Sequence, residues 1–299
     1  MHTDILPEKE KGTLYVIATP IGNLGDITLR ALEILKSVDF VAAEDTRQTG
    51  KLLAYYDIRK PLLSYFEHNK AKRGPQILAR LSAGESAALV SDAGTPGISD
   101  PGADIIKSAA EAGIPVTMAP GPVAGIMALV LSGLSTERFA FEGFLPEDRK
   151  KRHKILTELE TEQRTVIFYE SPHRLIQTLT EMREVFGAAR RIALCRELTK
   201  IYEEVTLQPL QAHLSAFEAK PPRGEYVLIL EGADKSALDR QKEARWADVS
   251  VLEQVNALME NGMDRKSAIK CAAEARGLSK NEVYAQYEQE KKKEPSEKI

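Results

Sequence analysis

The sequence predicts an α/β protein with a mostly parallel sheet, followed by a second, mixed α/β part and a small helical part. Up to about residue 118, short apolar stretches alternate with amphipathic ones, which is the pattern of parallel strands covered by helices on both faces. Further on, the last two predicted strands lie beside turn-rich segments, which indicates antiparallel pairing. After residue 232 only helical patterns remain.

The first half contains five predicted strands and four predicted helices. Asp26 or Thr28 can cap the first helix, which continues to about residue 38. Gly113 is a suitable stop for the fourth helix. The strands are predicted at 14–18, 40–43, 62–65, 87–90 and 116–118, and the other helices at 46–56, 69–83 and about 103–112.

In the second half, strands and helices no longer alternate regularly. Ser171 and Pro172 open a helix, with serine at the cap and proline at the first helical position. We place the boundary between the two halves near residues 120–125. The strands are predicted at 139–141, 165–169, 192–195, 204–207 and 226–230, and the helices at 149–160 and 171–185.

The last part of the chain reads as three short helices with helix-turn-helix spacing, at 246–260, 264–276 and 279–290. Asp264 can cap the second, and Ser279 with Glu282 forms a capping box for the third. The predicted organisation is a disordered lead-in (1–12), an N-terminal α/β domain (13–122), a mixed α/β domain (123–233), a linker (234–245), a helical domain (246–290) and a charged tail (291–299).

Composition narrows the class of protein. The net charge of −3 over 299 residues argues against a globally basic nucleic-acid binder, although it leaves room for a local basic patch. No apolar run reaches the roughly 18 residues that a membrane span needs. Cys195 and Cys271 are far apart and lack metal-ligand spacing, so they are interpreted as buried thiols in a reducing compartment. We therefore expect a cytoplasmic protein without a membrane attachment or a metal site.

The segment SDAGTPGISDPG (91–102) is the most informative part of the chain. It follows a predicted strand, and its glycines and prolines can continue neither a strand nor a helix. It is about twice as long as a structural turn, so a long surface turn is the weaker interpretation. A rigid loop of this kind can place its backbone against a ligand.

Two further loops follow predicted strands, at 20–26 and 119–125. In an open α/β sheet such loops converge on one edge, so the three together predict a ligand pocket, although the first loop alone fits a plain turn equally well. Neither the G-x-G-x-x-G dinucleotide fingerprint nor the G-K-[ST] ending of a phosphate-binding P-loop is present nearby.

Charged residues follow several predicted strands. AAEDTR (42–47) offers carboxylates beside an arginine, with a helix cap and a Glu44–Arg47 pair as the alternative. FYESPHR (168–174) lies at a strand-to-helix junction, where a helix N-terminus favours an anion, while its His173 fits a surface position as well. CRELTK (195–200) again places charges directly after a strand.

RKKRHK (149–154) is the sharpest basic cluster of the chain. A solvated helix face is the usual interpretation of such a run, yet unopposed cations also suit nucleic-acid phosphates. The helical region from residue 240 has nearly balanced charge, so its spacing alone does not indicate nucleic-acid binding.

Taken together, these motifs resemble the tetrapyrrole methylase superfamily of S-adenosylmethionine enzymes. Within it, the chain is similar to the methyltransferases that modify the 2′-oxygen of a decoding-centre cytidine in 16S ribosomal RNA. The resemblance covers about residues 13–232 and extends to the C-terminal helices. The matching segments are TPIGNLGDIT (19–28), AAEDTR (42–47), SDAGTPGISDPG (91–102), PGP (120–122), GFLP (143–146), FYESPHR (168–174), RELTK (196–200) and GEYVLIL (224–230).

The resemblance implies a two-domain tetrapyrrole-methylase-like fold, a homodimer, and S-adenosylmethionine in the cleft between the domains. It further implies the 16S ribosomal RNA of the 30S subunit as the substrate. The residues that it implies for the cofactor are Gly22, Asp92, Gly94, Ile98, Ser99, Pro122, Ala124 and Phe144.

Methyl transfer to a ribose hydroxyl needs a general base but no metal, because the sulfonium leaving group departs neutral. The candidate bases are Glu170 and Glu197, with Asp45 third. The candidate RNA contacts are Arg47, Arg149, Lys150, Lys151, Arg152, Arg174 and Arg196.

Three other functions fit less well. A tetrapyrrole methylase on the same fold needs neither the helical tail nor the 149–154 cluster. A non-enzymatic nucleic-acid-binding module leaves the three strand-end loops unexplained. A dehydrogenase lacks its fingerprint.

Overall fold

The computed structural model describes residues 12–234 and 249–293. They form two compact units, a larger one that extends to Glu231 and a smaller one that takes in residues 161–163 and the chain from Gly232 onward. The predicted lead-in, nearly all of the predicted linker and the last six residues of the predicted tail lie outside the described residues. The predicted domain boundaries therefore stay predictions.

The first sheet confirms the predicted α/β pattern: five parallel strands in the order β3-β2-β4-β1-β5. Every residue of β2 and β4 is buried, because helices cover both faces of the sheet and form a separate apolar core on each. The strands are β1 (Leu14–Ile17), β2 (Phe40–Ala43), β3 (Leu62–Ser64), β4 (Ala87–Val90) and β5 (Val116–Ala119), and the helices α1 (Leu29–Ser37), α2 (Thr46–Tyr55), α3 (Lys70–Ser82) and α4 (Ala103–Glu111).

The second sheet also has five strands, in the order β6-β7-β10-β8-β9. Only β6 and β7 pair in parallel; β10 is antiparallel to both of its neighbours, and β8 to β9, as the turn-rich segments predicted. The strands are β6 (Phe139–Phe144), β7 (Thr165–Glu170), β8 (Arg191–Arg196), β9 (Glu204–Pro209) and β10 (Tyr226–Leu230), and the helices α5 (Ala124–Leu131), α6 (Arg149–Glu158), α7 (Pro172–Phe186) and α8 (Leu210–Ala219).

Helices α5 and α8 are not defined by the sequence patterns above. Nearly every side chain of α5 is apolar, so the sequence has no helical period there. One side of α5 packs on the second sheet, through Ala128 and Leu129. Helix α8 begins directly after Pro209, so no loop separates it from the end of β9.

The smaller unit contains three helices, α9 (Val251–Glu260), α10 (Arg265–Arg276) and α11 (Lys280–Lys293). Helix α9 begins at Val251, where Ser250 and Glu253 form a capping box at its N-terminus, and the predicted start at residue 246 lies outside the described residues. The predicted caps are confirmed: Asp264 accepts from two amides of α10, and Ser279 and Glu282 bond reciprocally. Each cap satisfies amides that have no partner within the helix.

Candidate functional site

The three glycine-rich loops converge at the carboxyl ends of β1, β4 and β5, as predicted. Thr19 and Gly94 exchange backbone hydrogen bonds of 2.8 and 3.0 Å. The Thr95 hydroxyl donates to the Pro122 carbonyl at 3.3 Å. The loop after β4 is therefore tied to the loops after β1 and β5, and the three act as one wall.

Tight backbone packing explains the small residues in these loops. A Cβ on Gly121 would lie 2.8 Å from the Cβ of Ala18, so the loop after β5 can approach β1 this closely only with glycine. Gly102 ends the central loop at a φ of 140°, a conformation that residues with a Cβ rarely adopt. Ser99 also has a positive φ, of 62°, which is uncommon for serine.

The loops form one side of a cavity of about 400 Å³ within the larger unit. Residues from the second sheet and its connections, among them Phe144 and Tyr169, form the other side. Six of the eight residues implied for the cofactor line this cavity: Asp92, Gly94, Ile98, Ser99, Ala124 and Phe144. Gly22 and Pro122 lie outside the lining, although their neighbours Ile21 and Val123 belong to it.

An aromatic cluster forms the apolar part of the wall. The ring of Tyr169 lies 5.2 Å from that of Phe141 and 5.5 Å from that of Phe144, both in edge-on arrangements. The Tyr169 hydroxyl accepts from the Gly125 amide at 3.0 Å. Burial raises the pKa of Tyr169, so the hydroxyl stays protonated at neutral pH.

Five carboxylates line the cavity. Glu44, Asp92 and Asp100 lie close together after β2 and β4, and Glu170 and Glu225 belong to the side formed by the second sheet. Asp92 holds the loop after β2, since its Oδ1 accepts from the Asp45 amide at 3.0 Å and its own amide donates to Glu44 at 3.3 Å. Burial raises the pKa of Glu44. Burial, and next the negative charge of Glu44, raises the pKa of Asp100 from 3.8 to about 6.

Sequence reasoning did not select Asp100, although it lies in the 91–102 loop. The available signal was its place in the second half of that loop, directly before Pro101. Nothing in the sequence shows that this aspartate is buried beside two other carboxylates.

Cations and hydrogen bonds already engage the three predicted bases, although Glu170 is among the residues that line the cavity. The carboxylate of Glu170 is 1% exposed; it accepts from the Thr178 hydroxyl at 2.6 Å and the Ser171 amide at 2.8 Å, and Arg174 lies 3.6 Å away. Glu197 lies outside the cavity lining, with Lys200 at 3.0 Å, and an amide hydrogen bond from Glu225 leads the interactions that lower its pKa.

Asp45 also lies outside the cavity lining. It caps α2, and its hydrogen bonds with Arg47 lower its pKa to about 2. A carboxylate held in this way is a weak base, because a neighbouring cation stabilises the charged form.

The predicted RNA-binding cations separate into exposed and internal groups. Arg47 and Arg149 are 86% and 77% exposed, and Lys150 and Lys151 are exposed beside Arg149 on α6. Arg174 and Arg196 are about a quarter exposed and partly occupied, the first by the Leu145 carbonyl and the second by the Arg223 carbonyl.

Arg152 is the exception, and the structure corrects its assignment to the RNA-binding surface. Its side chain is 2% exposed and forms a two-pronged ion pair with Glu181, at 2.7 and 2.6 Å. The remaining Nη1 donates to the carbonyls of Pro146 and Glu147. Arg152 therefore holds α6, α7 and the loop before α6 together and has no free face for a phosphate.

The chain matches the family model described as Tetrapyrrole (Corrin/Porphyrin) Methylases over residues 13–213. A relative from Synechocystis sp. named ribosomal RNA small subunit methyltransferase I is 45% identical over 91% of this chain and 96% of its own length. Relatives of the same name from Halalkalibacterium halodurans and Bacillus subtilis are 46% and 45% identical over 94% of this chain, and over 96% and 95% of their own lengths. The chain belongs to the ribosomal RNA small subunit methyltransferase I family.

Solved structures place this family on the tetrapyrrole methylase fold. A cobalt precorrin-4 methyltransferase is similar with a TM-score of 0.57 and 16% identity, over 76% of this chain and 97% of that protein. A uroporphyrin-III-C-methyltransferase from Thermus thermophilus is similar with a TM-score of 0.54 and 20% identity, over 74% and 94%. At these identities the likeness shows the fold alone. It matches the expected α/β architecture, and the chain is a member of a methyltransferase family.

Proposed function

We propose that this protein transfers a methyl group from S-adenosylmethionine to the 2′-oxygen of cytidine 1402 in the 16S ribosomal RNA of the small subunit. The names of its relatives support the ribosomal RNA substrate. The observation that carries the proposal is the cavity at the carboxyl ends of β1, β4 and β5, where Asp100 is among the lining residues and three tied loops form one wall.

The cavity suits the proposed methyl donor. Its volume, about 400 Å³, falls in the range of roughly 300–1,000 Å³ common for small-molecule sites. S-adenosylmethionine has a positive sulfonium and a positive ammonium group, and a cavity lined by five carboxylates favours cations. The flat face of its adenine ring can pack against the side chains of Ile98, Phe144 and Tyr169. These side chains and the backbone of the 91–102 loop would hold the donor, which supplies the methyl group.

We assign the general base to Asp100 instead of Glu170, Glu197 or Asp45. Within the described residues, no cation lies at ion-pair distance from the Asp100 carboxylate, whereas each of the other three has one. With a pKa of about 6, Asp100 is ionised at neutral pH and is more basic than an ordinary aspartate. It would accept the proton of the 2′-hydroxyl as the oxygen attacks the methyl carbon, and the loops would keep the oxygen and the carbon in line.

The exposed cations would contact RNA phosphates. They are Arg47, on α2, and three residues of α6 whose charged groups remain largely open to solvent, Arg149, Lys150 and Lys151. Arg174 and Arg196 would contribute through the parts of their guanidinium groups that face solvent. A substrate in the 30S subunit also implies a cytoplasmic enzyme. Among the described residues, no helix is long and apolar enough to cross a membrane.

We further propose a homodimer. Side chains on the outer side of α5, Ile126, Val130 and Leu131, are 42%, 67% and 47% exposed. Phe139 and Phe141, on the edge strand β6, are 41% and 40% exposed. Adjacent apolar side chains on a helix and a sheet edge are typical of a surface that a second copy covers.

The decisive experiment uses 30S subunits from cells that lack the enzyme, incubated with the protein and S-adenosylmethionine labelled in its methyl group. We expect the label in 16S ribosomal RNA at cytidine 1402, on the ribose, and resistance of that linkage to alkaline hydrolysis. Unmodified uroporphyrinogen serves as the substrate for the alternative, a tetrapyrrole methylase. Label in the tetrapyrrole and none in the RNA would exclude the RNA methyltransferase and favour the tetrapyrrole methylase.

A further inference from the structure

A second cavity, of about 280 Å³, lies between helix α8 and the end of strands β8 and β9. We call it the β9–α8 groove. The edge strand β9 contributes Glu204, Thr206 and Gln208, which alternate along the strand and so share one face. These polar side chains line the groove, where they can donate hydrogen bonds to a ligand and accept them from it.

Two aromatic rings stand among these polar groups. Phe217 on α8 and Tyr226 on β10 have ring centroids 6.5 Å apart in an edge-on arrangement. Phe217 is half-buried, and Tyr226 is buried. A partly exposed ring held against a buried one is a surface on which a flat heterocycle can stack.

Cations surround the groove. Arg196 donates from Nε to the Arg223 carbonyl at 2.7 Å, which fixes the segment after α8 against the sheet. Lys220 and Arg223 are exposed, and among the described residues no hydrogen bond or ion pair engages their charged ends. Glu204 is the one carboxylate among the lining residues that the structure describes, against these three cations. The groove is therefore suited to an anion.

The groove also borders the methyl-transfer cavity, because Tyr226 lines both. In the sheet, Tyr226 pairs with Glu170 on one side and with Arg196 on the other. The cavity and the groove therefore lie on two sides of one residue, the buried Tyr226.

We propose that the β9–α8 groove binds one unpaired nucleotide of the RNA, next to the nucleotide that is methylated. Its base stacks against Phe217 and meets the polar side chains of β9, and its phosphate contacts Lys220 and Arg223. Single-stranded RNA is recognised in this way, by aromatic stacking together with hydrogen bonds to the base edge. The inference rests on the proposed RNA function and extends it to a second binding subsite.

The first test concerns charge and uses the full chain. A fluorescent single-stranded RNA with the sequence around the target is titrated by anisotropy against the wild type, the Lys220→Ala/Arg223→Ala variant and the Lys36→Ala/Lys107→Ala control. Both control lysines are exposed and lie on helices of the first sheet. We expect the groove variant to bind RNA at least about tenfold more weakly, and its slope of log affinity against log salt to fall by about 0.7, the contribution of the one phosphate contact that is lost. The control and the affinity for S-adenosylmethionine stay unchanged.

The second test concerns stacking. Phe217→Leu keeps an apolar side chain and removes the ring, whereas Phe217→Tyr keeps the ring. We expect a several-fold loss of RNA affinity for the first variant and near wild-type affinity for the second. Equal affinities for the two would exclude a stacked base.

The outcomes separate this inference from the proposed function. If the wild type methylates 30S subunits and the groove variants do so with an unchanged KM, the groove has no role in RNA binding. If the wild type labels no RNA at all, the proposed function itself fails. A further experiment adds free cytidine monophosphate as a competitor of the RNA. If it competes at the same concentration as the RNA, the groove is a site for free nucleotides, and its assignment to RNA is wrong.

Discussion

Asp100 has a carboxylate that is poorly solvated, lies near two other negative charges and is not balanced by a cation among the described residues. A group in this environment costs stability when it is ionised, and it is a better proton acceptor for the same reason. Enzymes commonly accept such a cost at the reacting centre.

We predict that Asp100→Asn abolishes most methyl transfer, by about 10²-fold or more in kcat, while the affinity for S-adenosylmethionine changes little. In the wild type, the rate should fall as the pH drops through about 6, where Asp100 takes up a proton. Rapid-mixing kinetics and calorimetric titration of the donor measure the two effects. A variant with wild-type kcat would exclude Asp100 as the base.

The same substitution is expected to stabilise the protein. The folded-state pKa of Asp100 is raised, so the folded protein binds a proton more tightly than the unfolded chain, and ionisation destabilises it as the pH rises from 3.8 to about 6. Above that range Asp100→Asn should therefore raise the free energy of unfolding by about 1 kcal/mol, less than the full pKa shift implies, because solvent screens the charge of a half-buried carboxylate. The gain should vanish in denaturant titrations below pH 4, and a gain that persisted there would point to a different cause.

Arg152 is a residue whose role depends on a partner 29 positions away, Glu181. Removing one member of a buried ion pair leaves an uncompensated charge, which costs about 3–5 kcal/mol. We predict a loss of this size for Arg152→Ala in urea titrations. Arg152→Met combined with Glu181→Leu should recover most of it, and failure of the double variant to recover any would indicate a different cause for the loss.

At the scale of elements, helix α6 divides its cations between two faces. Arg149, Lys150 and Lys151 point to solvent, and Arg152 points inward. Substitution of the exposed lysines therefore tests RNA binding, whereas substitution of the adjacent Arg152 tests folding stability.

We predict that Lys150→Ala/Lys151→Ala raises the KM for 30S subunits several-fold and reduces the salt dependence of binding, with unchanged thermal stability. Steady-state kinetics at two salt concentrations and a melting curve provide the readouts. An unchanged KM would indicate that the cations of α6 only form a solvated helix face and do not bind RNA.

The loop wall is a second feature at this scale. A Cβ at residue 121 would meet Ala18 at 2.8 Å, so Gly121→Ala should push the loop after β5 away from β1. We predict at least about tenfold weaker binding of S-adenosylmethionine, measured by calorimetry, because a shift of about 1 Å at a positioning element is costly. Gly50→Ala is the matched control for glycine replacement, since Gly50 lies in α2 and a Cβ there meets only Leu62, at an ordinary contact distance of 3.7 Å. If both variants bind the donor equally well, the contact at Gly121 does not position the site.

At the scale of the whole molecule, the exposed apolar side chains of α5 and β6 form a surface that we expect a second copy of the chain to cover. We predict that the protein sediments as a dimer and that Val130→Glu, at the most exposed position of this surface, shifts it to a monomer without unfolding it. Light scattering and circular dichroism test the two statements. A dimer that persists in this variant would place the interface elsewhere.

Much of the fold could be predicted from the sequence, because periodicity and capping are local. Alternation of apolar runs indicated the parallel sheet, and Asp264 and Ser279 marked helix starts that the structure confirms. Helix α5 could not be predicted in this way. Its apolar residues lack a period, since one face packs on the sheet and the other stays exposed.

The candidate site divides in the same manner. The residue pattern alone indicates that three glycine-rich loops follow strands, and the chain direction of a parallel sheet then brings them to one edge. Which charges serve the cavity depends on the folded chain, which places half-buried Asp100 near Glu44, gives Glu170, Glu197 and Asp45 cationic partners, and turns Arg152 toward Glu181. The physical reason is that the chemistry of a charged side chain depends on its solvation and its nearest charges, and residues distant in the chain supply both.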